Sequence, residues 1–335
     1  MAQRAEPEYR VRQIMPRLWQ RPVARWHHAA ELPKALREAL EAEFPLPRPV
    51  LTSRETSADG TVKFLWEFER GGAVESVLIP DRGRRTLCIS AQAGCAYGCV
   101  FCATGRMGFV RHLTAWEITA QFRELLLTSE FARATNIVFM GMGEPLHNWS
   151  AVNQALTILN DGGGFGVGAR HITVSTVGIV PALEKLAARP EQFRVALSLH
   201  APNSRKRREL MPVEAKYPLA QVLGALRGFT QRVTFEYVMI RGVNDSDADA
   251  RELAGHARSL GALVNVLPLH PGGAPGLDPA PTTDMRRFAK LLHEEGVKAT
   301  VRKSRGLDIN AACGQLRTEV ARRRGIPPQE HAGVE

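Results

Sequence analysis

The sequence predicts an α/β protein built on a parallel sheet, and three observations carry that prediction. From Arg84 onward, short β-rich runs alternate with amphipathic helical stretches. Six such strand–helix repeats follow one another, which implies parallel strands joined by right-handed crossovers. Small or polar residues with chemical potential (Gly143, Glu144, Ser175, His200 and His270) stand directly after the strand-like runs. That is where open sheets and barrels of this class both gather their sites.

The elements read as follows. "YRVRQIMPRLWQ" and "LPKALREALEAEF" are amphipathic, with Leu32, Leu36, Leu40 and Phe44 at helical spacing, and predict a small N-terminal helical unit. "PLPRP" interrupts it. "TVKFLWEF" and "VESVLIP", separated by "RGG", predict a β-hairpin. The six repeats then use "TLCISA", "NIVFMG", "HITVST", "FRVALSLH", "VTFEYVMI" and "LVNVLPLH" as strands. The helices between them include "TAWEITAQFRELLL", where Thr114 and Glu117 have capping-box spacing. Helices also fit "AVNQALTIL", "VPALEKLA", "PLAQVLGALR" and "DARELAGHARSL". The tail from Val301 predicts a last strand, a helix and a basic end. An open doubly wound sheet and a partial barrel both satisfy this pattern.

Apolar residues make up 44% of the 335 positions, ample for a core of this size. The polar start "MAQRAEPEYR" lacks the apolar stretch of a secretory signal, and no run is long enough to span a bilayer, so a cytoplasmic protein without membrane contact is expected. In that reducing setting clustered cysteines point to metal or redox chemistry. The net charge of +10 favours a polyanionic partner, most simply nucleic acid. Its basic clusters lie at Arg205–Arg208, Arg302–Arg305 and Arg322–Arg324. Each could equally be a solvated charge run. Trp19, Trp26, His27 and His28 could stack on bases, or the tryptophans could be core.

Three of the five cysteines, Cys95, Cys99 and Cys102, fall within "GCAYGCVFCATG", spaced C-x3-C-x2-C. Three thiolates on one loop can hold three irons of a [4Fe–4S] cluster and leave the fourth open to an outside ligand, whereas four cysteines saturate it. The competing reading is a zinc site completed by His112 or another residue, although structural zinc usually takes paired knuckles that are missing here. Cys88 reads from spacing alone as a buried strand residue, Cys313 as part of a packed helix, and Glu75 as facing either a site or solvent.

The loop resembles that of the radical S-adenosylmethionine (SAM) superfamily. Together with "VFMGMGEPLHN", "ITVSTVGIVP", "SLHAPN", "LMPVEAKYPL", "EYVMIRGVND" and "RGLDINAACGQL", in that order, the chain resembles the RlmN dual-specificity RNA methyltransferases from about Tyr9 to about Arg317. The resemblance implies a partial (β/α)6 TIM-type barrel with a small N-terminal helical domain and a β-hairpin. Its expected divisions are an RNA-binding unit over 1–48, a hairpin linker over 49–80, a radical SAM core over 81–308 and a C-terminal segment over 309–335.

It further implies methylation of adenosine carbon 2 in 23S ribosomal RNA and transfer RNA, with two SAM molecules per turnover and a methylcysteine intermediate. Carbon 2 is electron-poor, which is why a radical route is needed. By motif, Cys313 carries the methyl group, Cys88 resolves the protein–RNA adduct and leaves a Cys88–Cys313 disulfide, and Glu75 is the acid–base residue. Gly143, Glu144, Ser175, Ser198, Leu199, His200 and His270 contact SAM, and Cys95, Cys99 and Cys102 hold the cluster. His270 stands where the family usually has asparagine. A flavodoxin or ferredoxin as electron donor, and a monomeric state, are implied as well. The rivals are a Cfr-like carbon-8 methyltransferase and a non-catalytic RNA-binding protein with a structural metal.

Overall fold

The computed structural model describes residues 6–128, 130, 131, 133–270 and 276–316. The chain opens with helices α1 (Tyr9–Leu18) and α2 (Lys34–Glu43). Leu32, Leu36 and Leu40 meet Ile14, Val23, Trp26 and Ala29 in a small core of their own, as the helical spacing predicts. Phe44 stays 64% exposed because α2 ends one residue before it. Trp26 belongs to this core, and Trp19 packs on Trp116 and Phe165, so neither tryptophan is free to stack on RNA. His27 and His28 are exposed.

Four antiparallel strands follow in part: β1 (Val50–Thr56), β2 (Val62–Glu67), β3 (Ala73–Asp81) and β4 (Arg84–Cys88). A ribbon of β5 (Gln92–Gly94) and β6 (Phe109–His112) encloses the cysteine loop and the short helix α3 (Ala103–Arg106). The repeats then run α4 (Ala115–Leu127), β7 (Asn136–Phe139), α5 (Trp149–Asn160), β8 (Ile172–Thr176), α6 (Val180–Ala187), β9 (Arg194–Ser198), α7 (Ser204–Leu210), α8 (Leu219–Leu226), β10 (Thr234–Met239), α9 (Asp247–Leu260), β11 (Leu263–Pro268), α10 (Thr282–Glu294) and β12 (Ala299–Val301). The Thr114–Glu117 capping box at the start of α4 forms as the spacing predicts.

All six strands read from the repeats are present, and from β4 through β12 the neighbours are parallel. They form one ten-stranded sheet in the order β1-β2-β3-β4-β7-β8-β9-β10-β11-β12. The expected hairpin over 49–80 is therefore not a linker. Its free edge finds β1, and its other edge pairs with β4, so it continues the barrel sheet. The expected C-terminal helix falls mostly outside the described residues; before it lies only a 3-10 turn at Leu307–Ile309.

Strand register decides which side chains face inward, because neighbours across a ladder share a face and alternate along each strand. Val77 pairs with Cys88, and Cys88 with Val138. Glu75 lies two residues from Val77, and Lys63 opposite it, so Lys63, Glu75 and Cys88 share one face. The same face continues through Ser175, Ser198, Glu236 and Asn265.

The N-terminal unit is held to the barrel by a buried arginine. Arg123 on α4 donates to the carbonyls of Leu18 (3.3 Å) and Val23 (2.5 Å) and lies over the Trp116 ring. Its neighbour Glu124 receives Arg48 at 2.6 Å. Arg123→Met strips the two carbonyls and Glu124 of this donor. It should lower unfolding stability by about 3 kcal/mol and open residues 44–49 to limited proteolysis. A urea midpoint and digestion pattern matching wild type would contradict this.

Candidate active site

The cysteine loop owes its shape to glycine. Gly94, Gly98 and Gly108 all have positive φ, and a Cβ on Gly94 would collide with the Gly108 carbonyl. Cys95 N–H donates to that same carbonyl at 2.9 Å, and Cys102 N–H donates to Cys99 O at 3.1 Å. The three thiols then line one wall of a cavity at the C-terminal ends of the parallel strands. Its volume is about 160 Å³.

Burial pushes the Cys95 thiol up to about 12, with Cys102 adding to the shift; Cys99 is also raised by burial and by its two sister thiols. Three thiolates are thus unfavourable here without a cation, a charge that a bound iron cluster would supply. Among the described residues no three Cys, His, Asp or Glu side chains converge as ligands of one metal ion. Three cysteines sharing a cavity wall fit a cluster that offers a separate iron to each thiolate. His112 does not complete a zinc site. It is absent from the cavity lining, and its Nδ1 sits 3.0 Å from Gln92 Nε2, which also reaches His147.

Beside the loop, Gly143 and Glu144 follow β7. Gly143 has φ +88°, and a Cβ there would strike the Gln92 side chain, so only glycine fits. Glu144 is buried; its carboxylate accepts the N–H groups of Leu146 and Val177, both at 2.9 Å. Burial raises it to about 7 against those hydrogen bonds. Ser175 and Ser198 line the cavity with their hydroxyls 3.4 Å apart. Leu199 does not line it; its side chain is wholly buried in the core.

His200 is buried with a left-handed φ of +53°. Its Nδ1 accepts the Val238 N–H at 3.0 Å, so a neutral ring carries its proton on Nε2. Burial, then nearby Arg207, lowers its pKa to about 3. His270 lines the cavity too, with Nε2 2.8 Å from Ser304 Oγ, and burial lowers its pKa. That shift favours the neutral ring.

Cys313 enters on a strap secured at both ends. Upstream, Asp308 receives Ser57 Oγ (2.6 Å) and Ala58 N–H (3.1 Å), and Gly306 N–H donates to Asp59. Downstream, Ala103 N–H donates to Gly314 O at 2.8 Å and Thr104 Oγ1 to Leu316 O at 2.6 Å. The thiol is solvent-accessible because it looks into the cavity, yet protein encloses it, and burial followed by the Glu236 charge pushes it up to about 11. Cys88 lies outside the immediate lining, on the inward sheet face. Burial first, then Cys313, pushes its thiol far up. Glu75 is buried on that face, with Oε1 3.4 Å from Lys63 Nζ.

Glu236 was not singled out from sequence. It lines the cavity, accepts from Asn265 Nδ2 at 2.9 Å, and burial raises its pKa. The signal available was a lone carboxylate inside the apolar run "VTFEYVMI". The basic cluster at Arg205–Arg208 is divided. Arg207 is fully buried against Glu214, Lys206 pairs with Asp249 at 2.7 Å, and only Arg205 and Arg208 face out. Arg305 pairs with Asp81 at 3.4 Å. Arg322–Arg324 lie outside the described residues.

A family model described as the radical SAM superfamily matches residues 89–254. A probable dual-specificity RNA methyltransferase RlmN from Gemmatimonas aurantiaca is 55% identical over all of this chain and 93% of its own length. A dual-specificity RNA methyltransferase RlmN from Halorhodospira halophila is 42% identical over 94% of this chain and 89% of its own. Among solved structures, a radical SAM methyltransferase from Sphaerobacter thermophilus superposes with TM-score 0.89 and 43% identity, covering 94% of this chain and 95% of its own. No helix among the described residues is long and apolar enough to cross a membrane.

His200 also sets a pH dependence. Its folded pKa is depressed, so its contribution to stability is complete above about 6.5 and is lost as pH falls toward about 3. Metal-free protein should lose up to about 1.4 kcal/mol per pH unit from this group below that point. His200→Asn, which tolerates the left-handed backbone, should flatten that slope in urea titrations between about pH 6.5 and 5. An unchanged slope would show that His200 is not buried neutral.

Proposed function

The chain belongs to the RlmN family of the radical SAM superfamily, and on that premise we propose that it methylates carbon 2 of adenosine in 23S ribosomal RNA and transfer RNA through a methyl group carried on Cys313. The observation that carries the reading is the strap. It brings a cysteine 211 residues beyond Cys102 into the cavity that the three-cysteine loop lines.

Cys95, Cys99 and Cys102 would hold three irons of a [4Fe–4S] cluster and leave the fourth open to an outside ligand. When bound, the cluster supplies the electron that cleaves SAM and thereby starts hydrogen removal from the methyl group on Cys313. Gly143 lets backbone approach SAM, and Glu144, Ser175, Ser198 and His270 surround it with polar groups. His200 presents a fixed N–H donor, because its other nitrogen is held by Val238. The Cys313 thiol loses its proton before it takes a methyl group from a first SAM; the second SAM serves the radical step. An electron carrier of the flavodoxin or ferredoxin kind supplies reducing equivalents.

Once the Cys313-borne carbon radical has added to adenine, the adduct must give up its unpaired electron, for which the bound cluster would be the acceptor, as Glu75 removes the carbon-2 proton. Cys88 then attacks the Cys313 sulfur. A sulfur–sulfur bond forms, the carbon–sulfur bond breaks with its electron pair going to carbon, and that carbon takes a proton to become the methyl group. The Cys88–Cys313 disulfide must be reduced before the next turnover. The adenine meets Cys313 inside the cavity, so it must leave its stack.

Nucleoside mass spectrometry on RNA treated with reconstituted protein should find 2-methyladenosine; 8-methyladenosine alone would overturn the regiochemistry. Cys88→Ala should accumulate a covalent protein–RNA adduct, and Cys313→Ala should give neither adduct nor product. Wild-type product from both variants would contradict the two assignments.

A further inference from the structure

Lys63 is a buried cation that the reaction above does not use. It sits on β2, on the inward face, with its side chain 9% exposed. Its ammonium donates to the carbonyl of Ile309, in the strap four residues before Cys313, at 2.5 Å. The same nitrogen lies 3.4 Å from Glu75 Oε1 and 3.5 Å from Glu55 Oε2. Glu55 is nearly half exposed at the sheet edge, whereas Glu75 is buried beside the lysine. Desolvating a lysine and a carboxylate together adds little to stability, and an apolar pair of similar volume would serve a core as well. The arrangement instead joins two parts of the machinery that are 238 residues apart, Glu75 and Cys313.

We propose that Lys63 is a positioning residue: one ammonium fixes the Glu75 carboxylate and the Ile309 carbonyl, so that the acid–base group and the methyl-carrying strap keep a single relative placement. This deepens the reading above and rests on the roles given there to Glu75 and Cys313. Three donors on one ammonium suit the task, because it can serve a carbonyl and a carboxylate at once. Lys63→Met keeps the stem and removes the donor to Ile309 together with the cation beside Glu75 and Glu55. Glu75→Gln removes the carboxylate and leaves Ile309 with its donor.

The two variants separate the halves of the proposal. Hydrogen exchange on metal-free protein, without SAM or RNA, should show the amides of 306–313 exchanging roughly tenfold faster in Lys63→Met and unchanged in Glu75→Gln. In reconstituted protein, both variants should form RNA product on the order of 100-fold more slowly, while methylation of Cys313, read by peptide mass, stays within a few-fold of wild type. Wild-type exchange in Lys63→Met would overturn the proposal. So would altered exchange with wild-type product formation, which would leave Lys63 a purely structural tie. Should wild type make no 2-methyladenosine, the functional reading above falls, and the catalytic half of this proposal falls with it. The exchange comparison still decides whether Lys63 holds the strap.

Discussion

Everything distinctive about this site depends on one constraint: a chain segment near the C-terminus is held across the cavity from both sides. Asp308 and Gly306 fasten it to the β1–β2 turn, and the Gly314 and Leu316 carbonyls fasten it to the cysteine loop. Gly306 is part of that fastening. Its φ is +63°, and a Cβ there would press on Ala311 at 2.8 Å and Thr61 at 3.0 Å. Between the two anchors Cys313 has little choice but to face inward. A barrel without that strap would keep the cavity and the three-cysteine loop but lose Cys313 from its lining.

The strap also explains the antiparallel strands. Their outer turn supplies Ser57, Asp59 and Thr61 to the upstream anchor, and their inward face supplies Lys63 and Glu75. Because β3 pairs with β4, the strand of Cys88, this extension is in register with the barrel. The placement of Glu75 relative to Cys88 then follows from the sheet. A domain boundary drawn at 80 would cut through one hydrogen-bonded ladder. The N-terminal helices are a different case: they have their own small core and are attached through Arg123, the Arg48–Glu124 pair and Trp19, which packs on Trp116 and Phe165.

Much of this was legible in the residues. Alternation of apolar runs predicted all six repeat strands, since buried parallel strands and amphipathic helices have different periods. The cysteine spacing predicted a three-thiol loop. Helix α10 was missed although its buried Met285, Phe288, Ala289 and Leu292 repeat at helical spacing in "TTDMRRFAKLLHE", so the signal was there to be read. Strand β1 was missed because it is an edge strand with a mostly exposed pattern. Local charge misled in one place: Arg207 reads as part of a basic cluster, yet it is buried against Glu214, a pairing seven residues away. Glu236 and Lys63 escaped notice for the same underlying reason. Their meaning comes from neighbours on other strands and on the strap, which spacing along the chain does not reveal.

The claim underneath all of this is that Cys313, and no other thiol, is the methyl carrier. Its most direct test is the mass of the cysteine-containing peptides from protein expressed with its cluster assembled and isolated without air. A single added methyl group on the Cys313 peptide, with Cys88 unmodified, is the result this account predicts. A methyl group on Cys88, or a Cys313 peptide that never carries one, would contradict it.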